Sequence, residues 1–374
     1  MSDTEKQQKH LIEEAIQLLN EEYEASHRFN EDFDRDEPIT LGKLEFQKSK
    51  VLFWLDREAY YDEQTAWYNQ SLQEQHQACL TLLQTNGHVP PFRELADAIE
   101  RQRIVPFVGA GLSQPLGMPL WGAALRKLHD RIYNPNNPAI ATMIDQGQYL
   151  TAAQALADHS PVLTNNFIRT TYHVQKVVGP VTLLPRIANG CIVTTNFDDG
   201  IEEAFKLEKL AFDGYMHGTQ QHNFFSRLVR GQRCLLKLHG DADDEQTYIL
   251  TQNQYVEAYG EPLNYQRPLP KALRQIYISN SLLFLGCSLE QDRTLDLFRQ
   301  VKQQSEYEIP KHYALLSLPE HQQAKQQKET NLLELNIQPI WYPAGEHEYV
   351  ELLLQLVLDI AYKKISFDVL GALP

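Results

Sequence analysis

The sequence predicts an α/β protein built on a parallel sheet, and three observations carry that expectation. Short, almost wholly apolar runs recur from residue 104 onward, at 104–108, 191–195, 234–238, 282–285, 313–316 and 339–342. Helical stretches lie among them, at 120–131, 292–304 and 348–362. Strands buried on both faces lose the apolar–polar alternation of a half-exposed strand, so this pattern indicates a parallel sheet covered by helices on both sides. The third observation is where the runs stop: at Gly109, Asn196, His239 and Gly286. In such sheets ligands bind beyond the carboxyl ends of the strands, so these polar and glycine motifs stand where a site would lie.

Residues 1–95 have a different texture, rich in Glu, Gln, Asp, Tyr and Lys. Leu11, Ile12, Ala15, Ile16, Leu18 and Leu19 recur at helical spacing, as do Leu52, Phe53, Leu55 and Tyr60. Residues 30–38 carry acids and a proline and read as a loop between helices. The expectation is a helical N-terminal region of two to four helices over 1–95, with Gly87, Pro90 and Pro91 near its end, then a main domain over 96–374. Trp54, Tyr60, Tyr61, Trp67 and Tyr68 exceed what a solvated acidic tail needs, so the region either packs on the main domain or forms an oligomer or partner surface. Residues 135–185 break the strand–helix alternation, with Ala152, Ala153, Leu156 and Ala157 on one side, and predict a helical insertion covering the site as a small second domain.

The totals exclude several classes. The chain of 374 residues is 43% hydrophobic and 22% charged, ordinary for a soluble globular protein. No window approaches the roughly 18 uncharged apolar residues of a membrane span, and no basic segment leads into an apolar stretch as in a signal peptide, so a cytoplasmic location is expected. A net charge of −15 argues against a surface built to neutralise nucleic-acid phosphates. Cys79, Cys191, Cys234 and Cys287 include no close pair, so no zinc is expected.

Each motif admits two readings. Gly109-Ala110-Gly111-Leu112-Ser113 is either a tight turn or a cradle whose backbone approaches a diphosphate; it lacks the lysine of a nucleotide-hydrolysing P-loop. Thr194-Thr195-Asn196-Phe197-Asp198-Asp199 is either an N-cap for a helix near Gly200 or a polar ligand set. An asparagine amide both donates and accepts, and so suits a carboxamide, a ribose hydroxyl or an attacking water. His239-Gly240-Asp241 places a histidine, the natural base near neutral pH, at the ligand edge. Gly286-Cys287-Ser288-Leu289 offers small residues and a hydroxyl, or a tight strand-to-helix turn.

In this order the four motifs resemble the SIR2 (sirtuin) family, and especially its bacterial, anti-phage defence-associated SIR2-like branch, over roughly residues 95–365. The resemblance implies a Rossmann-like sheet of the sirtuin type and NAD⁺ as substrate. It implies that Gly109, Ala110, Gly111 and Ser113 contact the diphosphate, that Thr195 and Asp198 hold the nicotinamide side with Asn196, and that Gly286 and Ser288 lie along the adenosine half. Asn196 and His239 would be the catalytic pair. Deacylases of the family usually carry a four-cysteine zinc module, which this chain cannot form, and a Pro-Asp-Phe-Arg-like segment. Here that segment reads Gly117-Met118-Pro119-Leu120-Trp121, similar to the NAD⁺ hydrolases of anti-phage systems. The expected activity is therefore NAD⁺ hydrolysis to ADP-ribose in a homo-oligomer gated by a partner, with a hexameric HerA-like ATPase as the leading candidate. The alternatives are a sirtuin-like ADP-ribosyl or acyl transferase, and a NAD or ADP-ribose sensor without turnover.

Overall fold

The computed structural model describes residues 3–35, 38–133, 137–290, 293–304 and 308–365, and the chain divides into two compact units, Met1–Ala78 and Cys79–Pro374. The division falls inside the long helix Arg57–Thr85, earlier than the change of texture near residue 95. The helix Val89–Glu100 explains the difference. It buries Phe92, Leu95, Ala96 and Ile99 in the core of the sheet and so belongs to the larger unit.

In the first unit the helices Asp3–Ala25, His27–Phe33 and Lys48–Leu55 join the start of Arg57–Thr85. Tyr23, Phe29, Phe53 and Tyr60 form its buried centre, with the Tyr60 ring 5.0 Å from Phe53 and 5.3 Å from Phe29. The stretch expected as a loop from residue 30 is helical as far as Phe33. Tertiary contacts decide it: Asn30 is buried, donates to the Tyr23 carbonyl at 2.8 Å and accepts from the Tyr60 hydroxyl at 2.7 Å. A short hairpin, β1 (Ile39–Leu41) and β2 (Leu44–Phe46), was not expected from the sequence. Leu11, Ile12, Ile16 and Leu18 remain exposed along the first helix.

The second unit is the sheet and its helices. Its strands are β3 (Ile104–Val108), β4 (Cys191–Thr194), β5 (Gly214–His217), β6 (Gln220–His222), β7 (Cys234–Lys237), β8 (Ser281–Leu285), β9 (His312–Ser317) and β10 (Ile337–Tyr342). They lie in the order β10-β9-β8-β3-β4-β7-β5-β6, every neighbouring pair parallel except β5–β6. Side chains alternate between two cores, as a two-sided sheet requires. On β8, Leu283 and Leu285 join the helices Val89–Glu100, Trp121–Tyr133, Gly200–Leu207 and Tyr349–Ala361. Leu282 and Phe284 join Gln252–Tyr259, Pro268–Ser279 and Arg293–Gln303 on the other face. The expected insertion is present as the helices Pro138–Asp145, Tyr149–His159 and Pro161–Thr171, with Ala152, Ala153 and Leu156 in the first of these cores.

The order has one consequence for function. From β3 the chain runs outward to β4, β5 and the edge strand β6, turns back to insert β7 between β4 and β5, and then crosses to start the other half at β8, on the opposite side of β3. The loops after β3 and β8 thus leave the sheet at its topological switch point, where open α/β sheets form a crevice.

Candidate active site

At the switch point two glycine loops lie backbone against backbone. The Gly109 and Gly111 amides donate to the Leu285 and Gly286 carbonyls at 2.8 and 2.9 Å. A Cβ on Gly109 would sit 2.6 Å from the Gly286 carbonyl oxygen, and one on Gly286, whose φ is +67°, would sit 2.2 Å from the Leu112 nitrogen. Glycine is required here by the contact itself. The loop after β3 continues as a 3₁₀ helix, Ala110–Leu116, which buries Ser113. Ser288 lies exposed beyond the second loop.

Asn196 leaves the end of β4, and its side chain turns back across the sheet edge to this pair of loops. Its Nδ2 donates to the Gly109 carbonyl at 3.1 Å and to Ser113 Oγ at 2.8 Å, while its backbone amide donates to Thr194 Oγ1 at 3.0 Å. Thr195 Oγ1 donates to Asn196 Oδ1 at 3.3 Å. The amide therefore does not cap the helix Gly200–Leu207. The N-cap is Asp199, whose side chain accepts from the Val174 amide at 3.1 Å instead of capping, while Asp198 Oδ1, one residue earlier, accepts from the Gly200 amide at 3.0 Å. Asp198 Oδ2 is buried without a hydrogen-bond partner among the described residues, and burial raises the pKa of its carboxyl.

His239 follows β7, the strand beside β4. Its ring lies between Trp121, stacked at 6.2 Å, and Phe197 at 6.1 Å, and its Nε2 shares a 2.5 Å hydrogen bond with the Tyr255 hydroxyl. Burial among these rings lowers its pKa to about 4, with the Thr195 carbonyl pulling the other way. The imidazole is thus neutral at pH 7. Backbone bonds hold the two turns together: Leu238 donates to the Thr194 carbonyl at 2.7 Å and Ala242 to the Phe197 carbonyl at 3.0 Å.

Gly109, Ala110, Gly111, Ser113, Thr195, Asn196, Asp198, His239, Gly286 and Ser288 all lie at the carboxyl edge of β3, β4, β7 and β8. Hydrogen bonds join Asn196 to the first glycine loop, and that loop to the second. Sequence reasoning missed Tyr255 and Lys237. Tyr255 sits on the helix Gln252–Tyr259, and nothing local marks it. Lys237 is the polar last residue of an apolar strand, which was the one available signal. Its ammonium is buried between Glu202 and Asp241. Glu202, His217 and Asp241 bring ligand atoms within 4.8 Å of one another, and Glu202 and Asp241 each also pair with the Lys237 ammonium. The four thiols do not gather into a ligand set: Cys79, Cys191 and Cys234 are buried, and burial raises the pKa of all three.

Residues 190–340 match the family model of the SIR2-like domain. The chain is 28% identical over 219 residues to the NAD(+) hydrolase ThsA of Acinetobacter baumannii (strain 532279), an alignment covering 58% of this chain and 43% of that protein. It is 22% identical over 236 residues to defense-associated sirtuin 2 of Bacillus subtilis, covering 61% of this chain and 22% of that one. The chain thus matches less than half the length of these relatives. The matched domain carries β4 to β10, with Asn196, Asp198, His239 and Gly286, and β3 with its glycine loop joins it through the pairing of β3 with β4 and β8. Residues 190–340 are thus similar to the SIR2-like domain, and they form part of a Rossmann-like sheet.

Proposed function

We propose that the chain is an NAD⁺ hydrolase that cleaves the nicotinamide–ribose bond to give ADP-ribose and serves anti-phage defence by depleting NAD⁺. One observation carries the reading: Asn196, tied by its amide to Gly109 and Ser113, and a neutral His239 follow adjacent strands, β4 and β7, at the carboxyl edge of the sheet. The names of the two relatives, a NAD(+) hydrolase and a defense-associated sirtuin, point the same way.

In this reading NAD⁺ lies across the crevice as substrate. Gly109, Ala110, Gly111 and Ser113 face its diphosphate, Gly286 and Ser288 its adenosine half, and Thr195 and Asp198 the nicotinamide side. As the glycosidic bond stretches, positive charge develops on the ribose. A buried carboxylate at Asp198 stabilises that charge, and a neutral imidazole at His239 does not oppose it. Asn196 orients the incoming water or a ribose hydroxyl, and His239 takes the water's proton as the new C–O bond forms. An oxocarbenium-like centre is a strong electrophile, so a weakly basic ring suffices, provided it is unprotonated. Closure by the helices over 138–171 would keep bulk water out.

We further propose that the protein acts in the cytoplasm as a homo-oligomer built through its N-terminal helices, where Leu11, Ile12, Ile16 and Leu18 lie exposed. A separate gating partner, with a HerA-like ATPase as first candidate, completes the reading. Among the described residues no helix is long and apolar enough to cross a membrane. The deciding experiment is a timed chromatogram of NAD⁺ with purified protein and no acceptor, with and without the candidate partner. Free nicotinamide with ADP-ribose supports hydrolysis. NAD⁺ left intact in both arms, with tight binding, refutes it.

A further inference from the structure

Lys237 is the last residue of β7, and its side chain has no solvent exposure. A lysine so placed must find protein acceptors for all three ammonium protons. It has three: the Asp198 carbonyl at 2.8 Å, Glu202 Oε1 at 3.0 Å and Asp241 Oδ2 at 2.8 Å. Burial alone would drive its proton off, but the two carboxylates outweigh that effect and hold the pKa above the usual lysine range.

The acceptors belong to two segments. Asp198 lies two residues beyond Asn196, in the turn after β4, and Glu202 opens the helix Gly200–Leu207 that follows. Asp241 lies two residues beyond His239, in the turn after β7. A buried ion pair adds little net stability, because desolvation cancels most of the attraction, and an apolar residue of similar length would fill the space about as well. What an apolar residue cannot do is fix one backbone carbonyl and two carboxylates in a single geometry. Stability therefore does not account for a charged residue here, whereas registration of the two turns does.

We infer that Lys237 is a positioning residue that locks the Asn196 turn to the His239 turn and so sets the spacing of these two groups across the scissile bond. This rests on the catalytic reading above, since only there does the spacing matter. The tie works through backbone and second-sphere carboxylates, and Lys237 itself touches no reacting atom.

Lys237→Met alone strands two half-buried carboxylates and risks misfolding, so the test removes all three charges together: Lys237→Met with Glu202→Gln and Asp241→Asn. Steady-state kinetics on NAD⁺ should show kcat lowered by about a hundredfold with KM within about threefold, the signature of misplaced groups rather than lost binding. In a His239→Ala background the same three substitutions should lower kcat by less than about threefold further, because the spacing they disturb no longer matters. Amide exchange should accelerate at residues 196–200 and 239–242 while β3 and β8 stay protected. A kcat within about threefold of wild type, or losses that add in full to those of His239→Ala, overturns the inference. Should the wild-type protein leave NAD⁺ intact, the catalytic reading falls on its own, and exchange decides the tie: unchanged protection at both segments overturns it too.

Discussion

Replacing Asn196 with alanine separates two roles that its side chain combines. The Nδ2 group makes two hydrogen bonds, to the Gly109 carbonyl at 3.1 Å and to Ser113 Oγ at 2.8 Å, and the residue is buried. Each bond contributes about 1 to 1.5 kcal/mol net, and the Gly109 carbonyl keeps the Leu112 amide as a second donor, so the expected loss is about 2 to 3 kcal/mol. For a unit of this size that lowers Tm by roughly 5 to 10 °C. The variant should remain folded at 25 °C, where its circular dichroism can be matched to wild type before activity is measured. NAD⁺ cleavage should fall by about a hundredfold or more, the usual scale for losing a group that acts on the transition state. Asn196→Asp should be worse for stability, since it turns a carboxylate towards the Gly109 carbonyl. A lowered Tm with wild-type turnover would mean that the amide only ties the loops and takes no part in the chemistry. An unchanged Tm with wild-type turnover would refute both roles.

Four further outcomes are expected. Because burial holds His239 at about pKa 4, its ring stays neutral as pH falls from 8 to 5, so the acid limb of the NAD⁺ cleavage profile should lie near pH 4 to 5; a rate halved near pH 6.5 would contradict this. Gly286→Ala puts a Cβ 2.2 Å from the Leu112 nitrogen at a φ of +67°, and should cost at least about 2 kcal/mol in a urea melt and weaken NAD⁺ binding; a melt matching wild type would show that the loops can part. EDTA should leave Tm unchanged and elemental analysis should find no zinc, because the cysteines do not cluster; one tightly held zinc per chain would overturn that. Leu11→Lys with Leu18→Lys should dissociate the proposed oligomer in light scattering, and equal masses for variant and wild type would remove that surface from the reading.

The parts of the fold that were legible are those whose pattern is local. The strands β3, β4, β7 and β8 are runs of four or five residues with almost no polar interruption, and their ends coincide with the motifs. The strand β5 reads Gly214-Tyr215-Met216-His217 and β6 reads Gln220-Gln221-His222, with nothing apolar enough to mark them. They extend the sheet because β5 pairs with β7 along its whole length, a tertiary cause that leaves no local trace. The helix His27–Phe33 was hidden for the same reason, its decisive contacts running to Tyr23 and Tyr60. At the site, Asn196 and His239 announced themselves by following apolar strands. Tyr255 pairs with His239 16 residues away, and Lys237 with the Asp198 carbonyl and Glu202 39 and 35 residues away, beyond any spacing rule; its bond to Asp241, four residues on, is the one local partner.

The glycine loops carry the most instructive ambiguity. From sequence, Gly109-Ala110-Gly111 fits a tight turn and a diphosphate cradle equally well. In the fold Gly109 and Gly286 are needed simply so that two loops can pass backbone to backbone, and the Gly109 and Gly111 amides are spent on that contact. The glycines are therefore accounted for by the crossing of the two loops whether or not anything binds there. Other groups at the same edge are not: an asparagine amide held against Gly109 and Ser113, a buried carboxylate oxygen with no hydrogen bond among the described residues, and an imidazole kept neutral by the rings around it. Burying polar groups in this way costs stability, and a loop crossing alone requires none of them. The proposed NAD⁺ hydrolysis would give these groups a use that the loop crossing does not.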